Sequence, residues 1–324
     1  MTGRAGAASF GDVTGEYLAI RREAAFITGW HELVWVRGPD ALRFLEGLLS
    51  QAIEPIPVGG SADALLLSPQ GKLRAPHRLL RGEGEIGLIA DAGTAETITA
   101  DLHRFKIRVD ATIEIEQATV IDVWGPGSAG VVETVVALPA PATGWLRVPD
   151  GAVVVAMPLR SGGLQRFVVV GHDPEDFATA GVMRAGRFAV DAVRIEAGEP
   201  VMGVDIDEGT IPQEAGLVES AVDFSKGCYL GQELVARIDS RGHVNRHLRG
   251  VRIGANVLPP AGAELLVSGK VVGTLTSVAE SLELRAPIGL ALVRREVEPG
   301  AAVSVKWDGG DVRATVETLP MYAD

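Results

Sequence analysis

The stretch at residues 226–233 reads KGCYLGQE and holds the only cysteine of the 324-residue chain. One glycine precedes the thiol directly and another follows three residues later, where the backbone can take φ > 0 or come close to a ligand. Lys226 lies two residues before Cys228 and can favour the thiolate electrostatically. One interpretation of these residues is a catalytic pair, with Cys228 as the reactive thiol and Lys226 as its activator. The alternative is a buried, inert cysteine that packs as a small hydrophobic residue.

The residues around this motif extend the pattern. KGCYLGQE continues as LVARIDSRGHVNRHLRG, and together they resemble the signature of the YgfZ family, folate-binding relatives of the glycine-cleavage T-protein. Three further segments agree with the YgfZ and T-protein pattern in the same order: 68–77 (SPQGKLRAPH), 102–110 (LHRFKIRVD) and 194–216. With the C-terminal part, the resemblance covers most of residues 30–320.

The composition limits the class of protein. Hydrophobic residues make up 47% of the chain and charged residues 22%, which is typical of a soluble globular protein. The net charge of -12 means that binding to nucleic acid or to an anionic membrane is not expected. One cysteine rules out a disulfide framework and suits the cytoplasm. The N-terminus has no apolar signal-peptide region, and no stretch is long enough for a membrane helix.

The order of predicted elements indicates the fold class. Two successive strand–strand–helix sets favour an α+β fold with antiparallel sheets over a doubly wound parallel sheet. From about residue 247, short β-rich runs split by Gly and Pro predict a small β-barrel. The predicted organisation is a tail and lead-in at 1–29, two α+β subdomains at 30–246 and a barrel at 247–324. The resemblance implies that a folate cleft lies between the subdomains.

Local signals place individual elements. Residues 1–15 are rich in small and polar residues and predict a mobile tail. Asp40 is a predicted N-cap for a helix over 41–50, and Ala197-Gly198 predicts the end of a helix that begins near Phe188. Residues 268–270 and 308–311 predict hairpin turns within the barrel.

Glu196 is the candidate for pterin recognition. A carboxylate at a helix end can accept two hydrogen bonds from a planar amino-heterocycle. The resemblance implies this role, because T-protein relatives place a pterin-binding glutamate in an R-x-E-A-G context. The alternative is an ordinary surface carboxylate near a helix end.

Other candidates surround that carboxylate. Arg194 and Arg237, with Lys226, predict a local positive field for an acidic ligand, and Gln70 and Lys72 lie in the loop expected to line the folate cleft. The basic run at 237–252 could attract a folate glutamate tail or RNA phosphates, or it could be a solvated strand edge. Acidic residues at 205–208 lack His or Cys at ligand spacing, so no metal site is predicted.

The resemblance implies a function, with one departure. Aminomethyl-transferring relatives carry an aspartate pair in the segment that corresponds to 68–77, and here residues 71–77 hold no carboxylate. Losing an acid or base typically costs orders of magnitude in rate, which argues against glycine-cleavage activity. The expectation is a tetrahydrofolate-binding protein that assembles or maintains iron–sulfur enzymes, including tRNA-modifying ones, with those enzymes or assembly proteins as partners. The alternatives are a folate-dependent aminomethyltransferase, or a non-catalytic folate-binding module in which Cys228 is structural.

Overall fold

A computed structural model describes residues 6–159 and 164–322 of the chain. Its helices are α1 Val13–Arg22, α2 Ala41–Glu46, α3 Ala95–Phe105, α4 Ser128–Val136, α5 Pro174–Thr179, α6 Arg187–Ala197, α7 Val218–Ala221 and α8 Gln232–Arg241. Its strands are β1 Ala25–Thr28, β2 His31–Arg37, β3 Ser61–Leu67, β4 Leu73–Arg81, β5 Glu85–Asp91, β6 Thr112–Ile115, β7 Val120–Trp124, β8 Trp145–Arg147, β9 Val153–Ala156, β10 Arg166–Val170, β11 Met183–Arg184, β12 Arg246–Ile253, β13 Glu264–Val267, β14 Lys270–Ser281, β15 Ala286–Arg294, β16 Ala302–Trp307 and β17 Gly310–Glu317. The predicted α+β class is confirmed.

The first α+β unit is an antiparallel sheet with the strand order β3-β4-β5-β2-β6. Successive side chains of a strand point to opposite faces, and Val34 and Leu79 lie on the face that α2 and α3 cover. Leu45 of α2 and Leu102 of α3 are fully buried in that core. The i, i+3, i+4 spacing of apolar residues in the two helices makes this burial possible.

The second unit contains a sheet with the order β11-β1-β7-β10-β9-β8. Its pairs are antiparallel except for the short parallel pair of β1 and β11. Phe26, Val123 and Val169 face α4 and α5 and form a core with Phe177. Asp173 begins α5 with a capping box.

The two sheets pack against each other through their remaining faces. Leu33, Trp35 and Ile89 of the first sheet share a buried core with Val155 and Val168 of the second. The architecture is therefore helices, sheet, sheet, helices. Polar residues that continue these two inner faces beyond the apolar core meet at its edge, and this edge is where the cleft described below lies.

The C-terminal strands form a closed barrel with the order β12-β15-β14-β13-β16-β17. Its interior is aliphatic and includes Val251, Leu265, Val305 and Val316. Helices α1 and α6 join the barrel to the second unit through one continuous apolar core. Gly198 ends α6 in the left-handed conformation, as predicted.

Two local expectations are wrong. The helix after Asp40 ends at Glu46 rather than residue 50, and the Asp40 carboxylate accepts from the Asp110 amide instead of capping the helix. The expected N-terminal tail is structured from residue 13, because α1 packs on α6 and β1 pairs with β7. Residues 1–5 lie outside the described ranges. The predicted domain boundaries at 29/30 and 246/247 stay predictions.

Candidate functional site

A cleft opens at the edge of the joint between the two sheets. Strand alternation places side chains of both sheets on its walls. Leu33, Ile89 and Val168 face the joint. His31, Asp91 and Arg166, each two positions along the same strand, therefore face the same side. Among the residues that the structure describes, the polar ones that border the cleft are His31, Asp63, His77, Arg78, Asp91, Arg166 and Glu199. Most of them are far apart in sequence.

Strand register explains how the first sheet brings its residues together. His31, the first residue of β2, lies opposite Asp91, the last residue of β5. Asp63 of β3 lies opposite Arg78 of β4, and their side chains form an ion pair of 3.1 Å. Asp91 accepts a hydrogen bond of 2.8 Å from the amide of Met202. One wall of the cleft therefore carries carboxylates and a guanidinium in fixed positions.

Arg166 holds the opposite wall. Its Nη1 donates to Glu199 at 3.0 Å and its Nε donates to the Met157 carbonyl oxygen at 2.7 Å. The guanidinium also stacks 5.1 Å from the ring of Trp124. Because these contacts restrain the guanidinium, it is a preorganised positive group for an anionic ligand.

The ring of His77 lies in a different environment from that of His31. Its alternation partners Ala75 and Leu79 belong to the helix-covered core, so its ring lies on the face away from the joint. Nδ1 lies 3.0 Å from the Ala75 carbonyl oxygen, and since a carbonyl only accepts, Nδ1 carries the proton. Burial lowers the pKa of His77 to about 4, so this ring is neutral at physiological pH.

His31 pairs with a carboxylate that the sequence pattern did not single out. His31 Nδ1 lies 2.7 Å from Oδ1 of Asp122, and both residues are buried. Asp122 lies in the middle of β7, the apolar strand VIDVW, opposite Ile27 and Val168. The signal in the sequence that could have found Asp122 is a single acid within the otherwise apolar run VIDVW.

The cysteine lies away from the residues that border the cleft. Cys228 is exposed in the loop before α8, so the expectation of an accessible thiol is met and the buried alternative is wrong. Lys226, however, points elsewhere. Its Nζ donates to the carbonyl oxygens of Glu46, Leu49 and Gln51 at 2.8, 2.7 and 2.9 Å.

These contacts give Lys226 a structural role. The lysine side chain is 2% exposed and lies 3.3 Å from the Glu46 carboxylate. Burial lowers the pKa of Lys226, and the Glu46 carboxylate acts in the opposite direction. The ammonium satisfies the carbonyl of Glu46 at the end of α2 and those of Leu49 and Gln51 in the segment that follows the helix. Activation of the thiol by Lys226 stays a prediction that none of these contacts supports.

One glycine of the motif, Gly231, also serves packing. Gly231 has φ +79°, and a Cβ there would lie 2.5 Å from the Ser68 carbonyl oxygen and 3.1 Å from Gly71. Gly71 has φ +71°, and a Cβ there would lie 2.7 Å from Cβ of Leu234. The 68–72 turn and the start of α8 therefore approach so closely that only glycine fits at both positions.

Glu196 is buried rather than at a ligand-facing surface. Oε1 accepts from the hydroxyls of Tyr17 at 2.6 Å and Ser281 at 2.5 Å, and Arg21 Nε lies 3.7 Å from Oε2. Burial raises the pKa of Glu196 against the lowering effect of these partners. The alternative of an ordinary surface carboxylate is wrong. The residue lies where α1, α6 and the barrel meet and does not border the cleft, so its role in pterin recognition stays a prediction.

Arg194 joins α6 to the barrel. Its guanidinium contacts Asp191 at 2.6 Å, Asp205 at 2.8 Å and Ser277 at 2.6 Å. The Asp205 carboxylate also accepts from Thr276 at 2.6 Å. In the part of the chain that the structure describes, no group of three His, Cys, Asp or Glu side chains could hold a metal ion.

The remaining candidates lie on the surface. Gln70 and Lys72 are exposed at the β3–β4 turn, and neither borders the cleft. The Arg237 side chain is 67% exposed and pairs with Glu233 one helical turn earlier. Their assignment to folate stays a prediction. None of the helices within the described ranges is long and apolar enough to cross a bilayer.

The barrel and the whole chain resemble known proteins. Residues 246–323 match the family "Glycine cleavage T-protein C-terminal barrel domain". The crystal structure of glycine cleavage system aminomethyltransferase T from Bartonella henselae superposes with a TM-score of 0.86 at 23% identity, covering 96% of this chain and 89% of that one. The fold is that of the glycine-cleavage T-protein. The T-protein fold accounts for both α+β units and the barrel.

Curated sequences agree over nearly the full length. An aminomethyltransferase of Rubrobacter xylanophilus is 28% identical, covering 97% of this chain and 87% of the relative. An aminomethyltransferase of Moorella thermoacetica is also 28% identical, covering 89% and 83%. These names overturn the main functional expectation. A role in iron–sulfur enzyme assembly finds no support, and the argument against aminomethyl transfer is wrong.

The fold explains how that argument failed. Residues 71–77 indeed lack a carboxylate, but a seven-residue window cannot reveal what neighbouring strands supply. Asp63 comes from the strand beside β4, and Asp91 comes from the end of β5. Both border the same cleft. The absence of an acid from one segment is therefore not its absence from the site.

Proposed function

We propose that this protein is a folate-dependent aminomethyltransferase with the T-protein fold. The observation that carries the proposal is the likeness to curated aminomethyltransferases along almost the whole chain, 97% of it for the Rubrobacter xylanophilus relative. The likeness spans both α+β units as well as the barrel. A module that retained only one domain of such an enzyme would match over a shorter stretch.

The cleft suits a reduced folate as substrate. The pterin ring is rich in N–H donors, which the carboxylates of Asp63, Asp91 and Glu199 can accept. Arg78 and Arg166 offer positive charge for the carboxylates of the glutamate tail.

A reconstituted glycine-cleavage assay tests the activity. The protein is supplied with the lipoyl carrier bearing the aminomethyl group and with tetrahydrofolate, and both ammonia and methylenetetrahydrofolate are measured. We expect both products only when carrier and folate are present together. A T-protein of established activity serves as the positive control. Product formation no higher than the folate-free background would overturn the proposal.

Calorimetry with tetrahydrofolate tests the location. Arg78→Gln should weaken binding by about 10- to 150-fold, the effect of losing a charge-assisted contact worth roughly 1.5–3 kcal/mol. Arg237→Gln is a matched control, since that arginine is 67% exposed and outside the cleft. Weaker binding by Arg237→Gln or Glu196→Gln with unchanged binding by Arg78→Gln would place folate elsewhere, at the residues predicted from the sequence.

A further inference from the structure

We infer that His31 accepts a proton from the folate nitrogen that attacks the aminomethyl carbon, and that Asp122 is its positioning residue; this rests on the proposed function. The two residues come from different sheets, His31 from the start of β2 and Asp122 from the centre of β7. Their side chains meet across the sheet–sheet joint at 2.7 Å. The pair thus forms at the edge where the cleft opens.

The contact determines which ring nitrogen is available. An ionised carboxylate only accepts hydrogen bonds, so Nδ1 of His31 carries the proton that points to Asp122. In the neutral ring Nε2 then has a free lone pair. Within residues 6–159 and 164–322, no side chain or backbone group hydrogen-bonds Nε2 of His31, and the ring borders the cleft. The nitrogen able to take a proton is therefore the one that has no hydrogen-bond partner among the described residues.

A purely structural role for Asp122 would be unusual. Its side chain is fully buried, and Oδ2 lacks a hydrogen-bond partner among the described residues. Val120 and Trp124, which share its face of β7, are apolar. A buried polar pair in such a setting is often no more stabilising than apolar side chains of similar volume. A carboxylate there does stabilise the imidazolium that forms when the ring takes up a proton.

The other buried histidine of the unit shows the contrast. His77 hydrogen-bonds a carbonyl oxygen instead of a carboxylate, and its ring lies on the helix-covered face. The Asp63 carboxylate raises the pKa of His77, but burial outweighs this effect and lowers that pKa to about 4. The two histidines therefore differ in the group that lies against Nδ1, a carboxylate for His31 and a carbonyl oxygen for His77. His31 has the environment of a proton acceptor, and His77 has the environment of a neutral packing residue.

The proposed step conserves atoms and electrons. The folate N–H bond breaks, its proton goes to Nε2 of His31, and the nitrogen electron pair forms a C–N bond to the aminomethyl carbon. The electron pair of the C–S bond leaves with the carrier sulfur, which takes the proton from Nε2 and becomes a thiol. The second folate N–H replaces the amino group, and its proton leaves with ammonia. No oxidant or reductant is consumed.

Kinetics of three variants test the dyad. His31→Gln should lower kcat by roughly 10²- to 10⁴-fold, the usual contribution of general acid–base catalysis, with KM nearly unchanged. Asp122→Leu should lower kcat in the same direction, and it should have no further effect in the His31→Gln background, because residues that act as a unit are non-additive. His172→Gln is the control, since His172 also lies near carboxylates, Asp150 at 3.9 Å and Asp176 at 3.5 Å, but outside the cleft.

A spectroscopic readout does not depend on turnover. Long-range ¹H–¹⁵N correlation spectra of histidine-labelled protein report which nitrogen of His31 is protonated. We expect a bare Nε2 whose resonance moves on adding tetrahydrofolate, and a proton shifted to Nε2 in Asp122→Leu. This apolar replacement keeps the side-chain shape and tests tautomer control without an unpaired acid.

The outcomes separate the two proposals. If the wild type is active and the kcat values of His31→Gln and Asp122→Leu both lie within about threefold of its value, the dyad is overturned and aminomethyl transfer stands. Absence of wild-type turnover would overturn aminomethyl transfer, and the spectra would still decide the dyad. A proton on Nε2 in the wild type, or a bare Nε2 that saturating tetrahydrofolate does not perturb, would overturn the inference.

Discussion

Replacing Lys226 with methionine should strongly destabilise the protein. The change removes the ammonium that donates to carbonyl oxygens of Glu46, Leu49 and Gln51 at 2.7–2.9 Å, and it keeps most of the buried stem. A hydrogen bond from a charged group contributes about 1.5–3 kcal/mol, so three could exceed 4 kcal/mol. Relief of the desolvation that lowers the pKa of Lys226 offsets part of this. The expected net loss is about 3 kcal/mol, near the cost of breaking a buried ionic contact.

Urea unfolding of matched variants measures this loss. Lys72→Met is the control, because Lys72 is an exposed lysine at the turn that packs against the same loop. It should stay within about 0.5 kcal/mol of the wild type, as expected for a surface substitution. If Lys226→Met unfolds at the same urea concentration as Lys72→Met, the carbonyl contacts contribute nothing. The structural account of the KGCYLGQE motif would then be wrong.

Three further predictions concern pH, backbone and thiol. Burial lowers the pKa of His77 from 6.5 to about 4. The free energy of unfolding is therefore independent of this group above about pH 6.5, and it falls by about 3 kcal/mol as the pH falls from 6.5 towards 4. The pH dependence of the urea midpoint should be smaller in His77→Gln. Gly231→Ala should lower the free energy of unfolding by more than about 2 kcal/mol, because its Cβ would meet Ser68. The control Gly203→Ala, at φ +80° in open space, should lower it by about 1 kcal/mol. Equal urea midpoints of the two variants would contradict the close approach at Gly231. Iodoacetamide should label Cys228 in the folded protein, and resistance to labelling until urea is added would refute its exposure.

The barrel shows what local sequence signals can predict. The small β-barrel predicted from about residue 247 is confirmed, and its six strands lie between Arg246 and Glu317. The predicted turns at 268–270 and 308–311 join β13 to β14 and β16 to β17. Each hairpin is encoded by alternation and turn residues within a short window, so neighbouring residues suffice to locate it.

The site depends on contacts that no window contains. His31 and Asp122 are 91 residues apart, and Lys226 is 180 residues from Glu46, whose carbonyl it binds. The KGCYLGQE motif indicated chemistry because glycine, lysine and cysteine also occur in reactive loops. In the structure its lysine holds a helix end and Gly231 allows a close approach. Residue type alone cannot separate these roles, since a buried ammonium and an activating one look the same in sequence.

The position of β1 has a consequence for synthesis on the ribosome. β1 pairs with β7 in the register Ala25↔Trp124, yet every strand of the first sheet lies between them in the chain, at residues 31–115. The first unit is thus an insertion into the second. Chains emerge N-terminus first, so β1 is translated long before its partners β7 and β11. The inserted first unit can therefore complete its sheet before β1 has a strand to pair with. The second sheet then forms against a first unit that has already folded.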